Sequence, residues 1–171
     1  MWTVSRDAVV DFFAGGRDHR GRSLDGILTW DDDDLESVHD YIQWLFPTRQ
    51  PSAVNPFAPL VTDATVTAFL SDATLRERLR RAFERMLRFY GLRENDGPIE
   101  PDPERFAARS PVWLHPGNHN HLRLTRIMDS LATLGLQREA RALQRCLVDH
   151  VAPASGRVSR ATLDFWKRAV S

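Results

Sequence analysis

The sequence contains a single cysteine, Cys146, so it forms no intramolecular disulfide framework and no cysteine-rich zinc site. Its uncharged apolar stretches are only a few residues long, and they therefore predict no transmembrane helix. No secretory signal peptide is predicted, because Asp7 and Asp11 interrupt the first apolar stretch. Together these absences predict a cytoplasmic protein.

Lysine is nearly missing as well, since Lys167 is the only lysine among 23 basic residues. The 23 basic residues balance 23 acidic ones, but their distribution along the chain is uneven. Residues 1–70 carry 11 acids and 5 bases, and residues 71–171 carry 12 acids and 18 bases. A nucleic-acid-binding protein is usually basic overall. We therefore expect the two halves to attract each other in the fold, the alternative being a basic patch that binds a ligand, and nucleic acid is not an expected partner.

Helical periodicity is what the sequence does have, along most of its length. Ser5 is expected to cap the first helix, and a short second helix is expected from Ser23 with Leu24, Ile27 and Leu28. The acidic run Asp31–Asp34 is expected to begin the next helix, which ends at Pro47. The spacing of apolar residues predicts helices over about 5–14, 31–46, 62–70, 72–90, 118–135, 137–150 and 159–170.

Two proline-rich stretches, residues 47–61 and 92–117, are predicted to be irregular connections. No alternating pattern long enough for a useful strand is present. The prediction is an all-α fold, a single-domain bundle of about seven helices over residues 1–171 with a long Pro-rich loop.

A histidine-rich segment with His115, His119 and His121 suggests one alternative function, a metal-dependent hydrolase. However, His119 and His121 are two residues apart, so on a helix they point about 200° apart. No His-Glu-x-x-His spacing exists. A capping or hydrogen-bonding role is therefore favoured, and no metal or other cofactor is expected.

Other catalytic patterns are weak or missing. Asp18-His19 and His39-Asp40 are adjacent acid–histidine pairs, but neighbouring helical residues do not face each other, so His39-Asp40 is not a dyad by itself. There is no serine elbow and no glycine-rich phosphate loop. Cys146 lies among leucines and is expected to be a buried small side chain. We predict no catalytic residue.

The arginine-rich face of residues Arg76–Arg88 suggests a second alternative, a nucleic-acid contact. Sites for nucleic acid usually add stacking aromatic side chains, and this face has none interleaved. A solvated face, or a partner for the acidic 31–40 segment, is the favoured interpretation.

Three separate blocks carry a more specific signal. The first is His39–Pro47 with the sequence HDYIQWLFP, followed by Pro51. The second is Arg78–Gly91, which ends in Phe-Tyr-Gly, and the third begins HNHLRLTRI at His119 and continues to Leu136. In order and spacing these blocks resemble the opioid growth factor receptor conserved region, across roughly residues 8–170.

The resemblance implies a ligand- or peptide-binding interaction module rather than an enzyme. Animal members of this family are described as receptors for an enkephalin peptide that are associated with nuclear and perinuclear membranes. A peptide or protein partner is therefore expected, and peripheral membrane association follows from the resemblance only. We expect this chain to be a stand-alone version of the domain.

Polar and aromatic residues within the matching blocks and near them are the candidate ligand-binding residues. Two interpretations stay open for the polar ones: an internal hydrogen-bond network that fixes helix register, or a cleft in which an arginine pairs with a ligand carboxylate or phosphate. The two tryptophans are candidates for an apolar wall of that cleft. The eight candidates are His39, Gln43, Trp44, Trp113, His119, Asn120, Arg123 and Arg126.

Overall fold

A computed structural model describes residues 7–171, and these fall into two compact units that divide after Ala82. The all-α class is confirmed, because the described residues are mostly helical and form only one short two-stranded sheet. The described residues contain more helical segments than expected, because the predicted helix over 31–46 is divided into two and the one over 137–150 ends in a π-helical turn. The prediction of an irregular stretch over 92–117 is wrong in part, since Phe106–Trp113 is helical. A single domain stays a prediction.

The first unit, described from Asp7 to Ala82, is built from short helices. Asp7 caps the first of them, accepting hydrogen bonds from the backbone N–H groups of Val9 and Val10, while Ser5 lies outside the described residues. Phenylalanines of α1 and α5 meet edge to face in the core, with Phe13 and Phe69 centroids 5.2 Å apart. The helices are α1 Ala8–Phe13, α2 Leu24–Leu28, α3 Asp32–Ser37, α4 Ile42–Leu45, α5 Asp63–Ser71 and the first part of α6 Ala73–Tyr90.

The predicted helix over 31–46 is wrong in its middle, where the chain leaves the helix between α3 and α4. Val38 has extended backbone angles, φ −88° and ψ 130°. The break lets the hydroxyl of Tyr41 donate to the carbonyl of Leu35 at 2.8 Å inside the core. It also frees the backbone and side chain of Asp40 for contacts with other elements. Tertiary contacts here outweigh a weak helical preference.

The second unit spans Phe83–Ser171 and has longer helices. Its core holds the fully buried rings of Tyr90, Trp113 and Trp166. After the remainder of α6 come β1 Leu92–Glu94, β2 Ile99–Pro101, α7 Phe106–Trp113, α8 Asn120–Thr133, α9 Gln137–Arg145, a π-helical turn Cys146–Val151, α10 Ala152–Ser155 and α11 Arg160–Arg168.

The strands β1 and β2 form an antiparallel hairpin within the stretch predicted to be irregular. Asp96 and Gly97 both have positive φ, 51° and 111°, as a type I′ turn requires. The backbone N–H of Asn95 donates to the carbonyl of Pro98 at 2.8 Å across this turn, whereas Pro98 has no N–H to make the reciprocal bond. The Asp-Gly pair is the sequence signal for it, so the hairpin was predictable from the sequence.

The helices between Asp7 and Ser171 include none with both the length and the apolar character needed to cross a membrane.

Candidate functional site

An ion-pair network in the first unit is centred on Asp40. One oxygen of its carboxylate accepts a hydrogen bond from Arg22 Nη1 at 2.8 Å, and the other accepts one from Arg20 Nε. The Nε2 atom of His19 lies 3.5 Å from the same second oxygen. Burial acts to raise the pKa of Asp40, but the hydrogen bonds and charges of Arg22 and Arg20 outweigh it and lower the pKa below 3.8.

The two arginines are held by a tight loop around Asp18. The Asp18 side chain is fully buried, and its Oδ1 accepts from the backbone N–H groups of Arg20 and Arg22, each at 2.9 Å. Its Oδ2 accepts from Arg22 Nε at 2.6 Å. Gly21 turns the loop with a φ of +76°. Asp18 therefore sets the positions from which both guanidinium groups reach Asp40.

An open cleft of about 480 Å³ lies beside this network. We call it the Asp40 cleft, and its lining residues are Arg20, Arg22, Trp30, Val38, His39 and Asp40. The guanidinium of Arg22 lies 5.6 Å from the centre of the Trp30 ring, as in a cation–π contact. The cleft thus combines positive charge, negative charge and an aromatic wall, and it contains one of the predicted residues, His39.

Aromatic rings stack behind the Asp40 cleft, from the surface to the core. The ring of His19 lies parallel to those of Phe57, at 5.3 Å, and Trp44, at 6.0 Å. Trp44 Nε1 donates to His19 Nδ1 at 3.0 Å, and its ring packs on Phe12. Phe57 is 66% exposed, whereas Trp44 is buried. Trp44 therefore packs inward from α4, which is a separate helix because the predicted helix over 31–46 is broken before it.

Gln43 links the proline-rich segment 47–61, through Asn55, to the backbone of residues that line the Asp40 cleft. Its Nε2 donates to the carbonyl of His39 at 3.2 Å, and its Oε1 accepts from Asn55 Nδ2 at 3.2 Å. Asn55 Nδ2 also lies 3.4 Å from the carbonyl of Asp40. Gln43 and Asn55 are both buried. This side chain is therefore part of an internal network, which is one of the two interpretations that the sequence left open.

Five of the eight predicted residues lie in the second unit, where a second polar network is centred on Asn120. Its fully buried side chain accepts from the hydroxyl of Tyr90 at 3.3 Å and from Arg123 Nη1 at 3.5 Å. Trp113 Nε1 donates to the carbonyl of Tyr90 at 3.0 Å. Asn120, Trp113 and Arg123 are thus brought together around Tyr90, inside the unit rather than on its surface.

His119 and Arg126 lie at the edges of this group. His119 is exposed and its Nε2 is 3.4 Å from Asn120 Nδ2. Arg126 is half-buried, and this burial lowers its pKa, against the opposing charge of Asp129. Each of these two side chains has further interactions. Of the five residues in this unit, they are the two that reach solvent.

The three histidines of the hydrolase alternative do not form a metal-type cluster. Residues 7–171 contain no group of three or more histidine, cysteine or carboxylate side chains placed to hold an ion. His121 is buried, and its Nε2 donates to the carbonyl of Trp113 at 2.9 Å. Burial lowers the pKa of His121, so it stays neutral. His115 pairs with Asn118 at 2.9 Å. The hydrolase alternative therefore gains no support.

The arginine face of the nucleic-acid alternative is partly used inside the first unit. Arg76 Nη1 donates to the carbonyls of Phe69 and Leu70, at 2.5 and 2.8 Å. Arg81 Nη1 donates to Asp25 at 2.9 Å. These contacts occupy two of the guanidinium groups that a phosphate backbone would otherwise contact.

Arg20, Arg22 and Trp30 are the site residues that the sequence did not suggest. Arg20 and Arg22 come from the loop around Asp18 and Trp30 from the connection after α2, and the sequence signal nearest to them was the two acid–histidine pairs Asp18-His19 and His39-Asp40. The structure joins these two pairs across the fold, because Asp40 of the second pair contacts His19 of the first.

A family model and individual relatives both relate the chain to the same protein family. A model of the opioid growth factor receptor conserved region matches residues 23–171, so the match begins just after Arg22. The chain is 41% identical to the mouse opioid growth factor receptor over 85% of its own length, and 38% identical to the human one over the same share. It is 36% identical to opioid growth factor receptor-like protein 1 of Xenopus tropicalis over 68% of its length.

The chain spans about a quarter of the length of these relatives, covering 24%, 22% and 23% of them respectively. No solved structure matches the chain.

Proposed function

The chain belongs to the opioid growth factor receptor conserved-region family, and from this premise we propose that it is a peptide-binding interaction module. The Asp40 cleft is the observation that carries the proposal. A short peptide offers a terminal amine, a terminal carboxylate and apolar side chains. Asp40, Arg20 and Arg22 pair with one another in the unbound chain, so each peptide terminus would exchange into one of these ion pairs, and the ring of Trp30 lines the same opening. We further propose that binding takes place in the cytoplasm.

Among the eight predicted residues, we propose that His39 contacts the peptide directly, because it lines the cleft and is exposed. Gln43 and Trp44 do not line the cleft but support residues near it: Gln43 hydrogen-bonds to Asn55, and Trp44 to His19. The buried residues Trp113, Asn120 and Arg123 keep the register of helices in the second unit. His119 and Arg126 reach solvent there and are the second candidates for contact with a ligand.

The proposal is tested by selecting random peptides displayed on phage against the immobilised chain. Calorimetric titration of the enriched peptides follows, with an enkephalin pentapeptide titrated in parallel. The double variant Arg20→Ala/His39→Ala removes two exposed side chains from the cleft. Its matched control is Arg49→Ala/His115→Ala, which removes an exposed arginine and an exposed histidine that do not line the cleft.

We expect enriched peptides to bind the cleft variant at least about tenfold more weakly, since each lost charged or aromatic contact is worth roughly 1 kcal/mol or more. The control variant should bind them as the parent chain does. The proposal is contradicted if no peptide is enriched, or if both double variants bind the enriched peptides equally well.

A further inference from the structure

The second unit contains a cleft of about 750 Å³ that the proposed function does not use. One wall is helix α9 with the π-helical turn after it, and the other is the turn of the β1–β2 hairpin. Its volume lies in the range of pockets for small organic ligands. We call it the basic cleft, because four of its lining residues are Arg138, Arg141, Arg145 and His150.

These four basic side chains have no partner of their own. All four are exposed, and none makes a hydrogen bond or an ion pair with another residue in the part of the chain that the structure describes. Asp96, in the hairpin turn, is the only acidic residue of the lining. The cleft therefore has an excess of positive charge that no internal carboxylate neutralises, unlike Arg22 at Asp40.

The π-helical turn explains why residues of two helical segments line one cleft. Arg138, Arg141 and Arg145 follow one another at spacings of three and four, which place side chains on one helix face. In an α-helix, residue 150 would point about 140° away from residue 145. A π-helical turn contains an extra residue, so five positions along the chain bring a side chain back towards the same face. Residues 146–151 form such a turn, and His150 joins the arginines.

The floor of the basic cleft is apolar and uncharged. Ile99 and Cys146, both buried, and the half-buried Ala142 line it. Burial raises the pKa of the Cys146 thiol to about 12, so no thiolate forms there at neutral pH. The rim thus attracts an anion, and the floor accepts a hydrocarbon group.

We propose that the basic cleft binds a small organic oxyanion, namely a phosphate monoester or a carboxylate attached to an apolar body. Guanidinium groups recognise both kinds of oxyanion through paired N–H donors. The apolar floor is the reason for an organic ligand rather than a free inorganic ion, since burying hydrocarbon adds affinity that an ion cannot supply.

The test is an NMR titration of the full chain with phenyl phosphate, phenylacetate and inorganic phosphate as separate probes. The variant Arg141→Ala/Arg145→Ala removes two arginines of the rim. Arg157→Ala/Arg160→Ala is the matched control, because these arginines are exposed in the same unit but do not line the cleft. Ala142→Met narrows the floor without changing any charge.

We expect one of the two organic probes to bind at least about tenfold more tightly than inorganic phosphate, since about 0.8 kcal/mol is gained for each buried CH₂ equivalent. Preference for phenyl phosphate or for phenylacetate identifies the kind of oxyanion, and either result supports the proposal. The rim variant should weaken binding at least about tenfold. Ala142→Met should weaken the binding of the organic probe but not that of inorganic phosphate. The control variant should leave the binding of both unchanged.

The proposal is overturned if no probe gives a saturable shift of signals from the cleft, or if the rim variant binds as tightly as its control. Equal binding of inorganic phosphate and both organic probes also overturns it, because the floor then contributes nothing. Peptides selected for the Asp40 cleft serve as an independent check of the fold, and the rim variant should bind them unchanged.

Discussion

Replacing Gln43 with methionine removes two buried hydrogen bonds while keeping most of the side-chain volume. In the native chain its amide donates to the carbonyl of His39 and accepts from Asn55, each at 3.2 Å. Methionine offers neither group, although its length and flexibility fill the same space. The substitution therefore separates the polar contribution of Gln43 from its packing.

The magnitude follows from the number of bonds lost. Each neutral hydrogen bond contributes about 1 kcal/mol net, and a buried group left without a partner costs about 1–3 kcal/mol. Asn55 Nδ2 retains its contact with the carbonyl of Asp40, so the larger cost falls on the carbonyl of His39. We expect Gln43→Met to lower the free energy of unfolding by roughly 2 kcal/mol, which corresponds to a shift of about 1 M in the urea midpoint.

The assay is urea unfolding of the parent chain and two variants. Gln50→Met is the matched control, because Gln50 is exposed, and we expect it to change stability by less than about 0.5 kcal/mol. A double-mutant cycle with Asn55→Ala should show a coupling of about 0.5 kcal/mol or more. If Gln43→Met is as mild as its control and shows no coupling to Asn55, the internal network contributes nothing and the reasoning is refuted.

Three further predictions concern single positions. Gly91→Ala should lower the free energy of unfolding by more than about 1 kcal/mol, because the φ of Gly91 is +73° and an added Cβ would lie 2.8 Å from Phe106 Cα. Gly117 has a similar φ of +72° but open space around it, so Gly117→Ala should lower the free energy of unfolding clearly less in the same assay. Cys146 should react with iodoacetamide at pH 8 far more slowly in the native chain than in urea, because burial raises its pKa to about 12, and equal rates would contradict this. The pKa of Asp40 is lowered in the folded state, so its ionised form stabilises the chain above about pH 4, and this stabilisation is lost as the pH falls through the folded-state pKa. Asp40→Asn should therefore lower the free energy of unfolding at pH 7, and its difference from the parent chain should become smaller at acid pH. A difference that does not change with pH would mean that the ion pairs contribute nothing.

Long helices with strong periodicity were predictable from the sequence. The helix predicted over 72–90 is observed as Ala73–Tyr90, and that predicted over 118–135 as Asn120–Thr133. In both, apolar residues repeat at spacings of three and four over at least three turns, so local pattern and core packing agree.

Shorter features were not predictable in the same way. The break at Val38 depends on contacts that Asp40 makes with Arg20 and Arg22, about 20 residues earlier in the chain, and no local pattern encodes them. The π-helical turn at Cys146–Val151 continues an α-helical pattern that contains no proline or glycine, and Pro153, two residues after the turn, does not specify where the extra residue lies. The hairpin differs from both, because its Asp96-Gly97 pair was a readable signal.

In the candidate site, too, short-range neighbours were predictable from the sequence and long-range partners were not. His39, Gln43 and Trp44 belong to one short segment, so their proximity follows from the sequence alone. Their environments depend on residues far away in the chain, namely His19 beside Trp44 and Asn55 beside Gln43. A helical wheel cannot show such partners, so it could not distinguish a buried network from an exposed cleft.

The central claim, that a peptide binds in the Asp40 cleft, is tested most directly by the indole signals of the tryptophans. Trp30 lines the cleft, whereas Trp113 and Trp166 lie in the core of the second unit. The chain labelled with ¹⁵N at tryptophan is titrated with the peptides enriched by selection and with an enkephalin pentapeptide. We predict a saturable shift of the Trp30 indole signal, with the signals of Trp113 and Trp166 unchanged. A Trp30 signal that does not move while an enriched peptide saturates the chain would contradict the account.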